Sequence, residues 1–382
     1  MKKMEIKRMK RKFECTRENP LHSQLSNFDC SLIQEIAVKG FLCDEDYELL
    51  TKMSGEAGSL RIIDLYEVSE TDCQCENSYG KPEERKIEVA DNAFEDSIRL
   101  ENIILPAKLE VIGSPAFGGC TNLEGVDFPE SLTSIGSEAF LDCPKLGEVY
   151  ISKNLAMGEV YSHAFSASAN SFICDWDRWP VNKDGEPTYT GDGFGYFSYN
   201  GVLFFGFVWD ECIELEKYPS MNNRSTYQIP YGTQIIKYGA FSNCKFLHKL
   251  IFPETCGVIT EGSICGCPEL ETLVFRNQGL DGERVHHMDL YWGDVITNCP
   301  KLKDIYLYAE NPENIAFGIF EKLDNMSDIV LHVPCFCAKK YRDYEEEYCS
   351  MYDYNDKKYV KVWRKFKSIE EFDPVDFLED GI

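Results

Sequence analysis

Apolar residues recur along the chain in one phase. The runs VADNAF ending at Phe94, IGSPAFGGC at Cys120, IGSEAFLDC at Cys143, VYSHAF at Phe165 and IKYGAFSNC at Cys244 align on a shared Phe. Phe94, Phe117 and Phe140 are 23 residues apart and Phe165 follows after 25. The line resumes at Phe241, Ile264 and Ile296, the last delayed by nine extra residues. A fixed period of this length marks a repeat array, in which one unit buries too little apolar surface to stand alone and must stack on its neighbours.

Each unit also carries an L-x-x-I-x-I spacing: Leu100, Ile103, Leu105; Leu123, Val126, Phe128; Leu146, Val149, Ile151; Leu247, Leu250, Phe252; Leu270, Leu273, Phe275; Leu302, Ile305, Leu307. The last two of each triplet share one face of an extended segment, because side chains alternate along a strand. Pro106, Pro129, Pro230 and Pro253 close several of these segments, as proline is tolerated at strand ends. One short strand per turn is predicted. The Phe, the Cys and Val89, Ile112, Ile135, Val160, Ile236 and Ile259 form ladders along the core.

These motifs resemble the BspA-like, or Treponema-type, leucine-rich repeats, whose units read roughly I-G-x-x-A-F-x-x-C-x-x-L-x-x-I-x-I-P. The likeness extends to YNGVLFFGFVWDECIELEKYP, similar to the family's hairpin-bearing long repeat, and to LHVPCFCAKKY with WRKFKSI, similar to its closing segment. Departures are the stretch 166–195, the missing Phe at Ile264 and Ile296, and an insertion from Gly279 to Asp294. The resemblance implies a right-handed, β-rich leucine-rich-repeat solenoid and a non-enzymatic protein that binds host or neighbouring-cell proteins at a bacterial surface. The competing classes are a hydrolytic or other enzyme with its site in the 166–228 excursion, and a passive spacer.

The expected organisation is a basic leader over 1–28 outside the fold, then a strand, helix and strand cap over 29–85. The array runs over 86–333, interrupted by the aromatic excursion at 166–228, and a C-terminal cap covers 334–382. In the first cap LIQEIAV and LRIIDL repeat the strand spacing around DEDYELLTKM, a helix with Asp44 as its expected N-cap. EEEYCSMYDYNDKKY in the second cap is expected to be a loop. The leader holds eight Lys or Arg in its first twenty residues but no apolar run of a secretory signal, so surface localisation rests on the resemblance.

Charge narrows the partners. Lys plus Arg number 39 against 65 Asp plus Glu, a formal charge of -26, and such a field repels phosphate backbones, which excludes nucleic acid. No apolar run reaches the length of a membrane-spanning helix. Of seventeen cysteines, Cys120, Cys143, Cys244, Cys267 and Cys299 share the ladder position and are expected to be buried, stacked and reduced.

Catalytic chemistry is sparse. A Cys nucleophile needs a partner base, and His248, four residues after Cys244, is the nearest approach. Cys73 with Cys75 and Cys335 with Cys337 are C-x-C pairs without a second close pair, and Asp175, Asp177, Asp184 and Glu186 make an interrupted calcium-like run. No catalytic residue, metal site or cofactor is assigned. Outward strand positions instead form columns: Asn102, Gly125, Glu148, Lys249, Thr272 and Asp304, then Ile104, Asp127, Tyr150, Ile251, Val274 and Tyr306. Five of the second six are apolar or aromatic where exposure is expected, which suits an interface centre with a charged rim or simply reflects strand propensity. Trp176, Trp179 and Trp209 in the excursion form a weaker candidate surface, the alternative being a self-packed hairpin.

Overall fold

The computed structural model describes residues 9–26, 28–71, 86–152, 154–155, 159–160, 163–175, 177, 180, 194–207, 212–277, 295–323, 325–350 and 353–374. The chain divides into two compact units. The first comprises Met1–Arg178, Phe194–Leu203 and Pro219–Met221, and the second Trp179–Gly193, Phe204–Tyr218 and Asn222–Ile382.

In the first unit β1 (Lys10–Cys15), β2 (Glu35–Leu42) and β3 (Ile62–Thr71) pair in parallel and continue through Asn102–Ile104 to Gly125–Asp127. Glu148–Ile151 pairs with Ser171–Cys174 in the same sense. A second parallel sheet orders Ile87–Val89, Leu109–Ile112, Ser134–Ile135 and Glu159–Val160. The expected leader is therefore part of the fold from Lys10 onward: Phe13 and Cys15 are buried, and α1 (Leu21–Leu25) inserts Leu21 and Leu25 into the same core. Helix α2 (Asp44–Ser54) starts one residue earlier than expected, with Cys43 as N-cap, and sets Tyr47 edge-on against Phe94 at 5.7 Å.

The core follows the sequence ladder. Phe94, Phe117, Phe140 and Phe165 are buried and stack at centroid separations of 5.3, 5.0 and 5.2 Å. The backbone of each ring residue is hydrogen-bonded to the next turn: Phe94 N–H donates to Ala116 O, Phe117 N–H to Ala139 O and Phe140 N–H to Ala164 O, at 2.7 to 2.8 Å. Two residues after the ring, Asp96, Gly119 and Asp142 have positive φ and donate to the next turn in turn. Only residues that tolerate the left-handed region fit there, and a Cβ on Gly119 would lie 2.3 Å from Asp96 Oδ1.

The second unit repeats the scheme. Thr226–Gln228, Lys249–Phe252, Thr272–Phe275, Asp304–Leu307, Val330–Pro334 and Ser368–Phe372 form one six-stranded parallel sheet in that order. Tyr218 stacks on Phe241 at 5.4 Å and donates its N–H to Ala240 O, so it is the ladder ring one period before Phe241. The Tyr replaced the Phe and its ladder Ala became Lys217, which hid the repeat in EKYPS from pattern matching. Trp363 is buried among Phe317, Phe320, Tyr341 and Phe366. The stretch expected as a loop contains an antiparallel hairpin, Glu346–Ser350 with Asp353–Val360.

Candidate binding face

The outward columns part company between the two units. In the first, Ile104 is 41% exposed and Tyr150 45%, with Asp127 and Glu148 exposed beside them. Asp64, Ile104 and Asp127 are in register across three strands. Tyr66, two residues along from Asp64 on the same face of β3, is 60% exposed. The sequence reading missed it, although the alternation in LRIIDLYEV turns Asp64 and Tyr66 away from buried Ile63 and Leu65. The Tyr150 hydroxyl donates to Asp175, and that bond to the carboxylate raises the phenol above its ordinary range.

In the second unit the column is closed. Ile251 (2% exposed) and Val274 (0%) are buried with Tyr308, and half-buried Tyr306 and Phe372 pack against them. Tyr306 lies flat on His332 at 4.1 Å and meets Phe372 edge-on at 5.4 Å. Burial first, then the Asp304 and Glu370 charges, raises the Tyr306 phenol. The expected exposure of Ile251 and Val274 is thus corrected: they are apolar because they form a second small core, and strand alternation alone cannot see what packs on the outer face. Lys249, Thr272 and Asp304 are half-buried, and Asp304 Oδ1 lies 2.9 Å from His332 Nε2.

The excursion contributes core. Phe197 in the first unit and Phe204 in the second are fully buried, while Trp176, Trp179 and Trp209 lie outside the described residues. Of the calcium-like run, Asp177 accepts the Ser198 hydroxyl at 2.6 Å, and that buried hydroxyl also accepts the Cys174 N–H at 3.0 Å. Asp184 and Glu186, like Cys73 and Cys75, fall outside the described residues.

The ladder thiols are inert by burial. Cys120 donates to Phe94 O and Cys143 to Phe117 O at 3.2 Å, and Cys267 to Phe241 O at 3.0 Å, each carbonyl belonging to the turn before. Cys120, Cys143, Cys244, Cys267 and Cys299 are all buried and free of disulfides. Bonding to Cys120 and loss of solvent push Cys143 well up, and bonding to Cys244 does the same for Cys267. His248 does not activate Cys244: its Nδ1 faces Phe246 O at 2.9 Å and its Nε2 lies 3.8 Å from Glu269. Buried Lys217 was not foreseen. Lys217 donates to Gly239 O and Ser242 Oγ at 2.6 Å each, and burial lowers its amine to about 8.

A groove of about 570 Å³ in the second unit, lined by Tyr238, Glu261, Cys265, Asn298, Glu321 and Lys322 among others, has no histidine in its lining beside Cys265.

Comparison with known proteins matches the repeats to a family described as the BspA type leucine rich repeat region, in six copies over residues 84–174 and 213–284. Among solved structures, the chain is similar to a leucine rich cell surface protein of Faecalibacterium prausnitzii, at 18% identity and a TM-score of 0.36 over 77% of this chain and 64% of that one, under two thirds of its length. It is also similar to the pneumococcal vaccine antigen PcpA, at 16% identity and a TM-score of 0.32 over 81% and 74%. A leucine-rich repeat protein of Eubacterium ventriosum gives 13% identity and a TM-score of 0.41 over 78% and 72%. No curated protein matches the chain in sequence.

Proposed function

We propose that this chain, a leucine-rich-repeat solenoid built from BspA-type repeats, is a non-catalytic protein-binding molecule of a bacterial surface that recognises its partner through the outer sheet face of the first unit. The observation that carries the reading is the exposure of Tyr66 and Ile104 on the five-stranded sheet and of Tyr150 on the neighbouring strand pair, edged by acid: Asp64, Asp127, Glu148 and Asp175. Large apolar groups on a solvated strand face are disfavoured unless something covers them, and aromatic anchors with a charged rim are the usual make-up of an interface centre. The acid selects a partner surface that is basic around an apolar middle, since like charge across an interface is repelled.

The buried thiols and the displaced His248 support a role without chemistry. Capture from host and bacterial surface extracts, comparing the wild type with an Ile104→Asp, Tyr150→Ala double variant of equal melting temperature, tests the reading. The wild type should retain a defined protein that the variant loses and that elutes with salt. Identical captures by both would refute the assignment of this face.

A further inference from the structure

The first turns of the first unit hold a side-chain cluster that neither the core ladder nor the binding face uses. His22 Nδ1, Cys43 Sγ and a carboxylate oxygen of Asp46 lie within 4.8 Å of one another. Asp46 is fully buried, whereas His22 and Cys43 are half-buried. Both carboxylate oxygens are anchored by main chain: Oδ1 accepts the His22 N–H at 2.7 Å and Oδ2 the Cys43 N–H at 3.2 Å. Oδ1 also lies 2.7 Å from His22 Nδ1, and Cys43 Sγ lies 3.7 Å from the same nitrogen.

A cap alone does not require this combination. A capping box accounts for two of the three groups, since the Cys43 side chain accepts the Asp46 N–H while the Asp46 carboxylate accepts the Cys43 N–H, but it does not account for the His22 imidazole, which comes from another segment onto the same buried carboxylate and within 3.7 Å of the same sulfur. Nitrogen, sulfur and oxygen donors together suit zinc, which takes Cys, His and Asp in tetrahedral array. With Zn–S near 2.3 Å and Zn–N near 2.0 Å, tetrahedral geometry separates sulfur from nitrogen by about 3.6 Å. The Cys43 to His22 distance, 3.7 Å, already has that value. The nitrogen-to-oxygen distance must open from 2.7 Å to about 3.3 Å. The His22 side chain, 39% exposed, has solvent to move into.

We propose that His22, Cys43 and Asp46 form a zinc site, with water as fourth ligand, that ties the segment through α1 to the start of α2. Binding replaces the thiol proton: Cys43 S–H and Zn²⁺ give a Zn–S bond and one proton released to solvent, while the Nδ1 proton that faces Asp46 in the metal-free site moves through solvent to Nε2 and leaves the Nδ1 lone pair for the metal. Zinc affinity therefore rises with pH.

The test uses the full chain, reduced and metal-free, with cobalt as optical probe and zinc as competitor. The wild type should show thiolate-to-cobalt charge transfer with tetrahedral visible bands, bleached by zinc, and its melting temperature should rise with zinc. Cys43→Ser is the informative variant, because serine is a good N-cap and keeps the helix start while removing the ligand. It should fold, lose the charge-transfer band and lose the zinc-dependent rise, and His22→Gln should weaken zinc at least about tenfold. Cys335→Ser should change neither. A cobalt spectrum that survives both Cys43→Ser and His22→Gln, or a wild type whose melting is indifferent to zinc, overturns the site.

Discussion

The ladder cysteines illustrate how one residue type serves a repeat. A small apolar side chain fills the space between turns, and its S–H supplies a donor for the Phe carbonyl of the turn before, a bond that alanine could not make. The same thiols set the alkaline limit of stability. In the unfolded chain they ionise near 9.0, whereas Cys143 and Cys267 stay protonated in the fold well above that. Their contribution is full below pH 9 and is lost as pH rises beyond it, because the unfolded state then binds fewer protons. Lys217 acts in the opposite sense: its amine falls from 10.5 unfolded to about 8 folded, so the unfolded state holds more protons between those values and stability gains with pH across that window. Urea midpoints from pH 7 to 10.5 should show Cys143→Ala losing less than the wild type above pH 9. Lys217→Met should lack the opposing gain, so that its midpoint falls more steeply than the wild type's from pH 8 upward. Parallel curves for all three proteins would show that neither group titrates as described.

At the same scale, the positions flanking the ladder ring were open to reading and went unread. Asp96, Gly119, Asp142, Asn243, Gly266 and Asn298 all stand two residues after the ladder residue and all have positive φ. Asp, Asn or Gly holds these six positions, Ala167 after Phe165 being the exception at the same positive φ, and the preference persists at Ile264 and Ile296 where the Phe is gone. Gly119→Ala should destabilise by about 1 to 2 kcal/mol, the cost of the left-handed region for a side chain, more if Asp96 cannot yield. A thermal midpoint equal to wild type would show that the turn can relax.

At the scale of elements, the period of 23 residues and the L-x-x-I-x-I spacing placed the strands from Asn102–Ile104 to Asp304–Leu307. The segments that escaped have no internal copy to compare with. β1 carries KRKFEC, where charge conceals a strand whose buried face is only Phe13 and Cys15. The hairpin at Glu346–Ser350 and Asp353–Val360 is rich in charge and tyrosine, without the apolar spacing of the repeats, and its two strands pair with each other. Within the array, elements that share the stacked rings should stand or fall together. Phe117→Ala should cost about 3 to 5 kcal/mol, because the ring contacts Phe94 and Phe140 at 5.3 and 5.0 Å and leaves a cavity between turns. Ile104→Ala, on the exposed face, should cost a small fraction of that in the same urea titration. Comparable losses would mean that Ile104 is not at the surface.

For the whole molecule, the sequence revealed the solenoid and the columns of its outer face but not which columns stay open. The pattern of Ile251, Val274 and Tyr306 is the same in kind as that of Ile104 and Tyr150. What separates them is Tyr308, which follows the Asp304–Leu307 strand two residues after Tyr306, and Phe372 from the last strand, which pack with the former. The formal charge of -26 adds a long-range bias toward basic partners that salt screens over about 8 to 10 Å. The most direct measurement is the affinity of the captured partner for Tyr150→Ala and for Tyr306→Ala, each beside its melting temperature. Tyr150→Ala should lose about 2 kcal/mol or more of binding free energy at an unchanged melting temperature, as expected for an aromatic anchor. Tyr306→Ala should melt earlier yet bind as the wild type does. The reverse result, with binding lost at Tyr306 and kept at Tyr150, would contradict a partner-binding face on the first unit.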